Sequence, residues 1–274
     1  MYYSLRLLWR VLLLFVFQFV GLGRHVGKTS IIVQLVKLFS EKGLRVGVIK
    51  HGHSYDPAFD LKSGEDAKDT VRFTEAGSVV TIVMTNKSTV TITAVGSLER
   101  VIENLLSQVD VVFLEGFKEE ECYPRIIVAE AVSDVSQLLT SNTIAVTGNA
   151  AVACYEELKH HHPSLSIAKS AEELAEVLYS FIIEKVVEKV GGKSCGVCGH
   201  PNCEAFIESL RTGKAKPTAC PQVSPRVSLY LDGKPLPLNP FVQSMIENTL
   251  RGMLRSLKGV GRHKRVEVFI SSPP

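Results

Sequence analysis

The sequence predicts an α/β fold with a mostly parallel sheet, followed by a small four-cysteine metal-binding module and a β-α-β tail. Three observations carry that prediction. An apolar run, Leu12 to Val20, leads into Gly21-Leu22-Gly23-Arg24-His25-Val26-Gly27-Lys28-Thr29-Ser30, and a helical pattern follows from Ile31 to Glu41. A second apolar run, Arg45 to Lys50, then completes a strand-helix-strand unit, which implies parallel pairing. Past Val190 the character changes, and Cys195, Cys198, Cys203 and Cys220 crowd together behind Gly191-Gly192.

The glycine-rich stretch has the layout of a phosphate-binding loop, so the first part of the chain is expected to be P-loop NTPase-like. Backbone N–H groups of such a loop and of the helix start point at one spot, where the helix dipole favours negative charge. Gly23, Arg24, His25, Val26, Gly27, Lys28, Thr29 and Ser30 are the candidate phosphate contacts. Lys28 supplies a mobile positive charge for the β- and γ-phosphates, and the Thr29 hydroxyl is a candidate Mg²⁺ ligand. The spacing departs from the common form, because Leu22 stands where a glycine is usual and glycines flank it. The bland alternative is an ordinary glycine turn before a helix.

The strand before the loop is placed at Phe15 to Val20, apolar on both faces as buried parallel strands are. The competing reading is a membrane anchor, but the run from Leu7 to Val20 is broken by Arg10 and Gln18 and is shorter than a span of roughly 20 residues. No small-residue cleavage site marks a signal peptide. Residues 1 to about 13 are read as an extension, and the protein is expected to be cytoplasmic.

The helix after the loop is expected to stop at Gly43. The polar stretch His51 to Glu75 leaves the end of the second strand. It is either a ligand-lining loop or a solvated excursion. Val79 to Met84 and Thr89 to Thr93 read as a hairpin around Asn86-Lys87, and Leu98 to Leu106 as an amphipathic helix. Val109 to Leu114 is an apolar strand ending at Glu115-Gly116, where a carboxylate can reach a Mg²⁺ shell or orient a water. Arg125 to Val128 and Thr143 to Val146 are expected to complete the sheet. A long helix, Glu172 to Val190, carries an apolar stripe of Leu174, Val177, Leu178, Phe181, Ile182 and Val186. His160-His161-His162 reads as a solvated turn, since neighbouring side chains on a helix diverge.

Composition narrows the classes. With 274 residues, 45% of them apolar, the chain can form one sizeable domain and a smaller one. A net charge of +3 argues against a dedicated nucleic-acid binder, and Arg262-His263-Lys264-Arg265 reads as a surface turn. The boundaries are expected at 14–190, 191–225 and 226–274.

Residues of about 15 to 150 resemble the molybdopterin-guanine dinucleotide biosynthesis adaptor family, MobB. The segments that carry the resemblance are Gly21 to Ser30, Arg45 to His51 with His53, Lys68-Asp69-Thr70 with Arg72 and Glu75-Ala76-Gly77, and Leu114 to Lys118 with Pro124. The resemblance implies GTP with Mg²⁺, weak hydrolysis, frequent homodimerisation, and support of guanine nucleotide attachment to molybdopterin. The implied partners are a molybdopterin nucleotidyltransferase or a recipient molybdo- or tungsto-enzyme. By position it places Gly27, Lys28 and Thr29 at the phosphates and Mg²⁺, Asp60 and Glu115 near the metal or water, and Lys50, His51 and Arg72 along the cleft. Arg125 stands where lysine is common. Thr147-Gly148-Asn149 lacks an Asp that could pair with guanine, so the choice of GTP over ATP rests on the resemblance alone.

The cysteines are spaced C-x2-C-x4-C-x16-C, and thiolates so close in sequence can converge on one soft metal centre. Zinc sites usually come as two matched C-x2-C knuckles. This asymmetric run ending in Cys220-Pro221 favours a [4Fe-4S] cluster, with Zn²⁺ as the alternative. It resembles the four-cysteine domain of Rnf complex B subunits and corrinoid iron–sulfur proteins. Glu204 to Leu210 reads as a helix ending at Gly213 that returns Cys220 to the others, and His200 as a loop residue. The tail reads as strand, turn at Asp232-Gly233-Lys234, helix from Phe241 to Leu257 capped by Asn239, and strand Arg265 to Ile270.

Two functions follow. One is a GTP-binding adaptor in molybdenum or tungsten cofactor maturation with an attached iron–sulfur module. The other is a nucleotide-dependent iron–sulfur or metal carrier, or an electron-transfer protein.

Overall fold

The structure is a computed structural model and describes residues 15–23, 25–52, 80–84, 89–93, 97–106, 108–190, 194–224, 229–231, 234–236 and 238–258, with Phe73, Ala76, Ser78, Val227 and Val266. Arg24, Asp60, Arg72, the basic block 262–265 and the strand expected at Arg265 to Ile270 lie outside the described residues, as do residues 1–14. The chain divides into two compact units, Leu12–Lys185 and Val186–Pro274.

The first unit is built on a six-stranded sheet. Its strands are β1 (Val16–Val20), β2 (Val46–Lys50), β5 (Val111–Glu115), β6 (Arg125–Val128), β7 (Thr143–Thr147) and β8 (Ser166–Ile167), in the order β2-β5-β1-β6-β7-β8. Every neighbouring pair is parallel. β1 is the third of the six strands and lies between β5 and β6, with Phe19 opposite both Glu115 and Ile126. That central place explains why its residues are buried throughout.

Alternation along β1 sorts the helices onto two faces. Phe17 and Phe19 meet Phe113 of β5, at ring separations of 6.3 and 5.3 Å. Phe39 of α1 (Lys28–Glu41) packs on Phe113 at 5.5 Å, and Phe181 of the long helix α6 (Ala171–Val190) on Phe17 at 5.9 Å. Val16 and Val20 point the other way. Val16 joins Ile102 of α2 (Leu98–Leu106), Val112, Leu114 and Tyr123. Val20 joins Ile127, Val146, Val135 and Leu138 of α3 (Val132–Leu138), Ala150 of α4 (Asn149–Ala153) and Leu158 of α5 (Tyr155–His161). The result is a three-layer α/β arrangement.

The expected hairpin forms as an antiparallel pair, β3 (Val80–Met84) and β4 (Thr89–Thr93), separate from the main sheet. Three short helices and β8 were not legible in the pattern, and the sheet therefore extends one strand beyond Thr143 to Val146. His160 and His161 end α5 rather than forming a turn, with both side chains exposed. That is a correction of the secondary structure. Lys159, His160 and His161 suit the negative end of the helix.

In the second unit, α7 spans Cys203–Arg211 and ends before Gly213, whose φ of 70° closes the turn. β9 (Leu229–Leu231) and β10 (Lys234–Leu236) form an antiparallel ladder, and α8 spans Pro240–Arg255. The Asn239 side chain accepts from the Val242 N–H at 2.9 Å, as the N-cap reading required. The tail thus begins as a hairpin and helix, in place of the single strand expected before the helix. Lys234 pairs in β10 instead of sitting in the turn.

Candidate functional site

The loop after β1 is built from backbone conformations that few residues adopt. A Cβ on Gly21 would stand 2.6 Å from Val26 Cγ2 and 2.8 Å from the Val128 carbonyl, so only glycine fits against the end of β6. His25 and Gly27 both have positive φ, at 69° and 89°. Gly27 is the N-cap of α1, and no side chain caps the helix start. The first-turn N–H groups of this 14-residue helix are therefore left to other acceptors.

Charged groups converge on that helix start. Lys28 Nζ donates to the Gly23 carbonyl at 2.7 Å, folding the lysine back over the loop. The Thr29 hydroxyl donates to Glu115 Oε1 at 2.8 Å, and Lys50 Nζ lies 3.2 Å from the same oxygen. Lys118 Nζ donates to the Leu22 carbonyl at 3.3 Å. Burial lowers the Lys28 pKa from its ordinary value; Glu115 counteracts this, while Lys118 and Lys50 add to it. Three lysines around one carboxylate leave a surplus of positive charge at the loop, which suits an anionic ligand.

The strand ends supply the rest. Glu115 is the last residue of β5 and is buried, whereas Lys50 and His51 leave the end of β2. The His51 N–H donates to the Glu115 carbonyl at 2.9 Å, and the His51 ring lies 5.0 Å from that of Phe117. Gly116 has φ 95°, and a Cβ there would sit 3.1 Å from His51 Cβ. Val26 is buried against Gly21 and acts as a packing residue, while Ser30 and His25 are exposed. Of the sequence-predicted residues, Gly23, Val26, Gly27, Lys28, Thr29, Lys50, His51 and Glu115 gather here. Arg24, Asp60 and Arg72 lie outside the described residues.

Sequence reasoning missed the frame beneath the loop. Gln18, wholly buried in β1, donates through Nε2 to the carbonyls of Gly116 and Phe117. Its Oε1 accepts from Arg125 Nε at 2.9 Å. Arg125 also donates to the carbonyls of Leu138, Lys118 and Glu120, at 3.1, 2.8 and 3.0 Å. Arg125 is 3% exposed and its pKa is lowered by that burial. The available signal was a glutamine inside the otherwise apolar strand Val-Phe-Gln-Phe-Val.

The second unit holds the cysteines. Cys195, Cys198, Cys203 and Cys220 line one hollow, together with Val190, His200, Phe206 and Gln222. All four are free thiols. Gly196 and Gly199 take φ of 69° and 83°, conformations that let the chain wrap around the hollow. The Ser194 N–H donates to Cys203 Sγ at 3.2 Å, and Asn202 caps α7 just ahead of Cys203 by accepting from the Ala205 N–H at 2.8 Å. Burial pushes the Cys220 thiol up, and the nearby charges of Cys198 and Cys195 act in the same sense. Gln243 of α8 reaches the Pro221 carbonyl at 3.4 Å and so supports the Cys220-Pro221 turn. The His200 ring packs on Phe206 at 5.4 Å. Among the described residues no three His, Cys, Asp or Glu side chains stand close enough to hold a metal ion.

Comparison with known proteins supports both regions. The family described as molybdopterin guanine dinucleotide synthesis protein B, MobB, matches residues 16–151, and one provisionally described as an Fe-S cluster matches residues 192–222. A protein of Methanocaldococcus jannaschii, provisionally named a molybdopterin-guanine dinucleotide biosynthesis adapter protein, is 28% identical over 248 residues, 89% of this chain and 92% of its own length. A Bacillus subtilis protein named a probable adapter of the same kind is 32% identical over 127 residues, 45% of this chain and 70% of its own. The crystal structure of a molybdopterin-guanine biosynthesis protein B aligns with a TM-score of 0.46 at 21% identity, covering 61% of this chain and 98% of that one. On the match of residues 16–151 to the MobB model and the Bacillus subtilis relative that is 32% identical and covered to 70% of its length, the chain belongs to the MobB family.

Proposed function

We propose that this protein is a GTP-binding adaptor in molybdenum or tungsten cofactor biosynthesis, supporting attachment of a guanine nucleotide to molybdopterin. The observation that carries the reading is the Thr29 hydroxyl held 2.8 Å from Glu115 Oε1 beneath an uncapped helix start, with Lys28, Lys50 and Lys118 around it. Two oxygens side by side are a fitting donor pair for Mg²⁺, which prefers oxygen ligands and keeps several waters. A bound Mg²⁺ would supply charge neutralisation to the β- and γ-phosphates. Lys28 would leave the Gly23 carbonyl for the phosphates, the N–H groups from Gly23 to Ser30 would bind the phosphate oxygens, and Glu115 would help hold Mg²⁺ or orient the attacking water. His51 closes the cleft beside Glu115, with Arg24, Asp60 and Arg72 as further contacts. Hydrolysis is weak, as expected where no second protein completes the site. The partners are a molybdopterin nucleotidyltransferase or a recipient molybdo- or tungsto-enzyme, the protein acts as a homodimer, and its compartment is the cytoplasm.

The four thiols are read as the ligands of a [4Fe-4S] cluster, with Zn²⁺ as the alternative. What supports the cluster is the asymmetric C-x2-C-x4-C-x16-C spacing ending in Cys220-Pro221, which is not the two matched C-x2-C knuckles usual for zinc, together with the match of residues 192–222 to a family described as an Fe-S cluster. Cys195, Cys198, Cys203 and Cys220 would hold it. On this reading the chain has three parts, 14–190, 191–225 and 226–274, of which the middle one is the cluster module.

Anaerobic purification followed by iron, sulfide and zinc analysis, with GTP titration in Mg²⁺ on the same sample, tests both sites. The expected result is saturable GTP binding that Lys28→Ala abolishes, with iron and sulfide in equal amounts. Absence of guanine-nucleotide binding would sink the adaptor reading of the loop, and stoichiometric zinc without sulfide would replace the cluster.

A further inference from the structure

We propose that Glu130, held by Asn149, reads the guanine base and sets the choice of GTP over ATP. The inference rests on the nucleotide site proposed above. Glu115 and Lys50 stand on β5 and β2, to one side of the loop, and mark where the terminal phosphate and its metal belong. The nucleoside must then extend the other way, over the C-terminal ends of β6 and β7. Two strand spacings separate β1 from β7, roughly 10 Å, which matches the reach from an α-phosphate to the pairing edge of a purine. The end of β6 already touches the loop, since Gly21 packs against the Val128 carbonyl.

At that place the structure holds a carboxylate that no motif announces. Asn149 Nδ2 donates to Glu130 Oε2 at 2.6 Å. A carboxylate only accepts, so the amide must present its nitrogen there. The turn bearing Glu130 is fixed from below, because Asp134 accepts from the N–H groups of Glu130 and Ala131 at 3.0 and 3.2 Å. Gly148, with φ 96°, lets β7 close on this turn, and a Cβ there would meet the Ala129 carbonyl at 2.7 Å. Glu130 is exposed and is thus open to a ligand. Its two oxygens match the N1–H and N2–H₂ donors of guanine. Adenine offers an unprotonated N1 in that position and is repelled.

The test is equilibrium binding of GTP, ITP, ATP and XTP, each with Mg²⁺, to the full chain and to Glu130→Gln. The parent is expected to bind GTP best, ITP less well for want of the N2 amine, and ATP at least about tenfold more weakly than GTP. Xanthine keeps N1–H but carries an oxygen at C2, so a glutamine amide can accept from the one and donate to the other. Glu130→Gln is therefore expected to lose about tenfold or more in GTP affinity and to gain XTP binding by a similar factor. A merely structural role for Glu130 predicts no gain for XTP. A parent that binds GTP and ATP alike, or a Glu130→Gln variant with the parent's order of preference, would overturn the inference while leaving the phosphate site standing. A parent that binds none of the four overturns the phosphate site as well.

Discussion

Gln18 and Arg125 show how a few buried polar side chains set the shape of an exposed site. The guanidinium serves three backbone carbonyls and the Gln18 amide at once, which an ammonium cannot do because it lacks the planar fork. Arg125→Met would leave the Gln18 amide and the Leu138 carbonyl buried and unpaired, at a cost of about 1–3 kcal/mol each, readable as a lower urea midpoint. Arg125→Lys keeps the charge but releases the 116–120 turn that carries Lys118. Its expected signature is weaker GTP binding by about tenfold with a smaller loss of stability, because Lys118 then no longer lies over the Leu22 carbonyl. Tyr123 is the opposite case. Its hydroxyl is buried without a hydrogen-bond partner, beside the weakly bonding Cys122 thiol. Removing an orphaned hydroxyl costs little, so Tyr123→Phe should be neutral or stabilising by up to about 1 kcal/mol in the same urea assay.

At the scale of the element, the loop between β1 and α1 keeps its shape because its two ends are pinned by different neighbours. Gly21 is pressed between Val26 and β6, and Gly27 turns the chain into α1 with a left-handed φ. Gly21→Ala forces Val26 or the end of β6 to move. Its core strands keep their packing, so the variant is expected to fold with a near-parental far-UV spectrum and to lose GTP binding by more than about tenfold, the spectrum and a GTP titration together separating the two effects. The same elements show what was legible in the chain. β1, α1, β2 and β5 announce themselves because each apolar run is long, and because glycine or a charged residue punctuates it at the ligand end. α3, α4, α5 and β8 are too short to show a period of their own, and their burial depends on Val20, Ile127 and Val146 supplied from elsewhere in the sequence. Glu115 could be recognised as the end of a strand. Glu130 could not, because only the fold brings it to Asn149.

For the whole molecule, the decisive fact is that Leu12–Lys185 and Val186–Pro274 are separate compact units, each with its own internal support. The first carries its aromatic centre around Phe113 and two further apolar clusters. The second unit is smaller and, among the described residues, has few buried apolar side chains around its clustered thiols, chiefly Val190, Phe206, Leu210 and Val223. Small units of that kind usually depend on a metal centre for their folding free energy. Removing the proposed centre should therefore act locally. Amide hydrogen exchange on anaerobically purified protein, before and after iron removal with a chelator, is expected to show protection lost across 194–224, where Cys203 opens α7 and Cys220 closes the hollow. β1, β5 and β6 should keep their protection, and GTP affinity should stay within about twofold of its starting value, since none of Cys195, Cys198, Cys203 and Cys220 belongs to the unit that holds Lys28 and Glu115. Loss of protection in β1 and β5 on the same treatment would mean instead that the nucleotide unit draws its stability from the metal centre, and the two sites would then have to be treated as one folding unit.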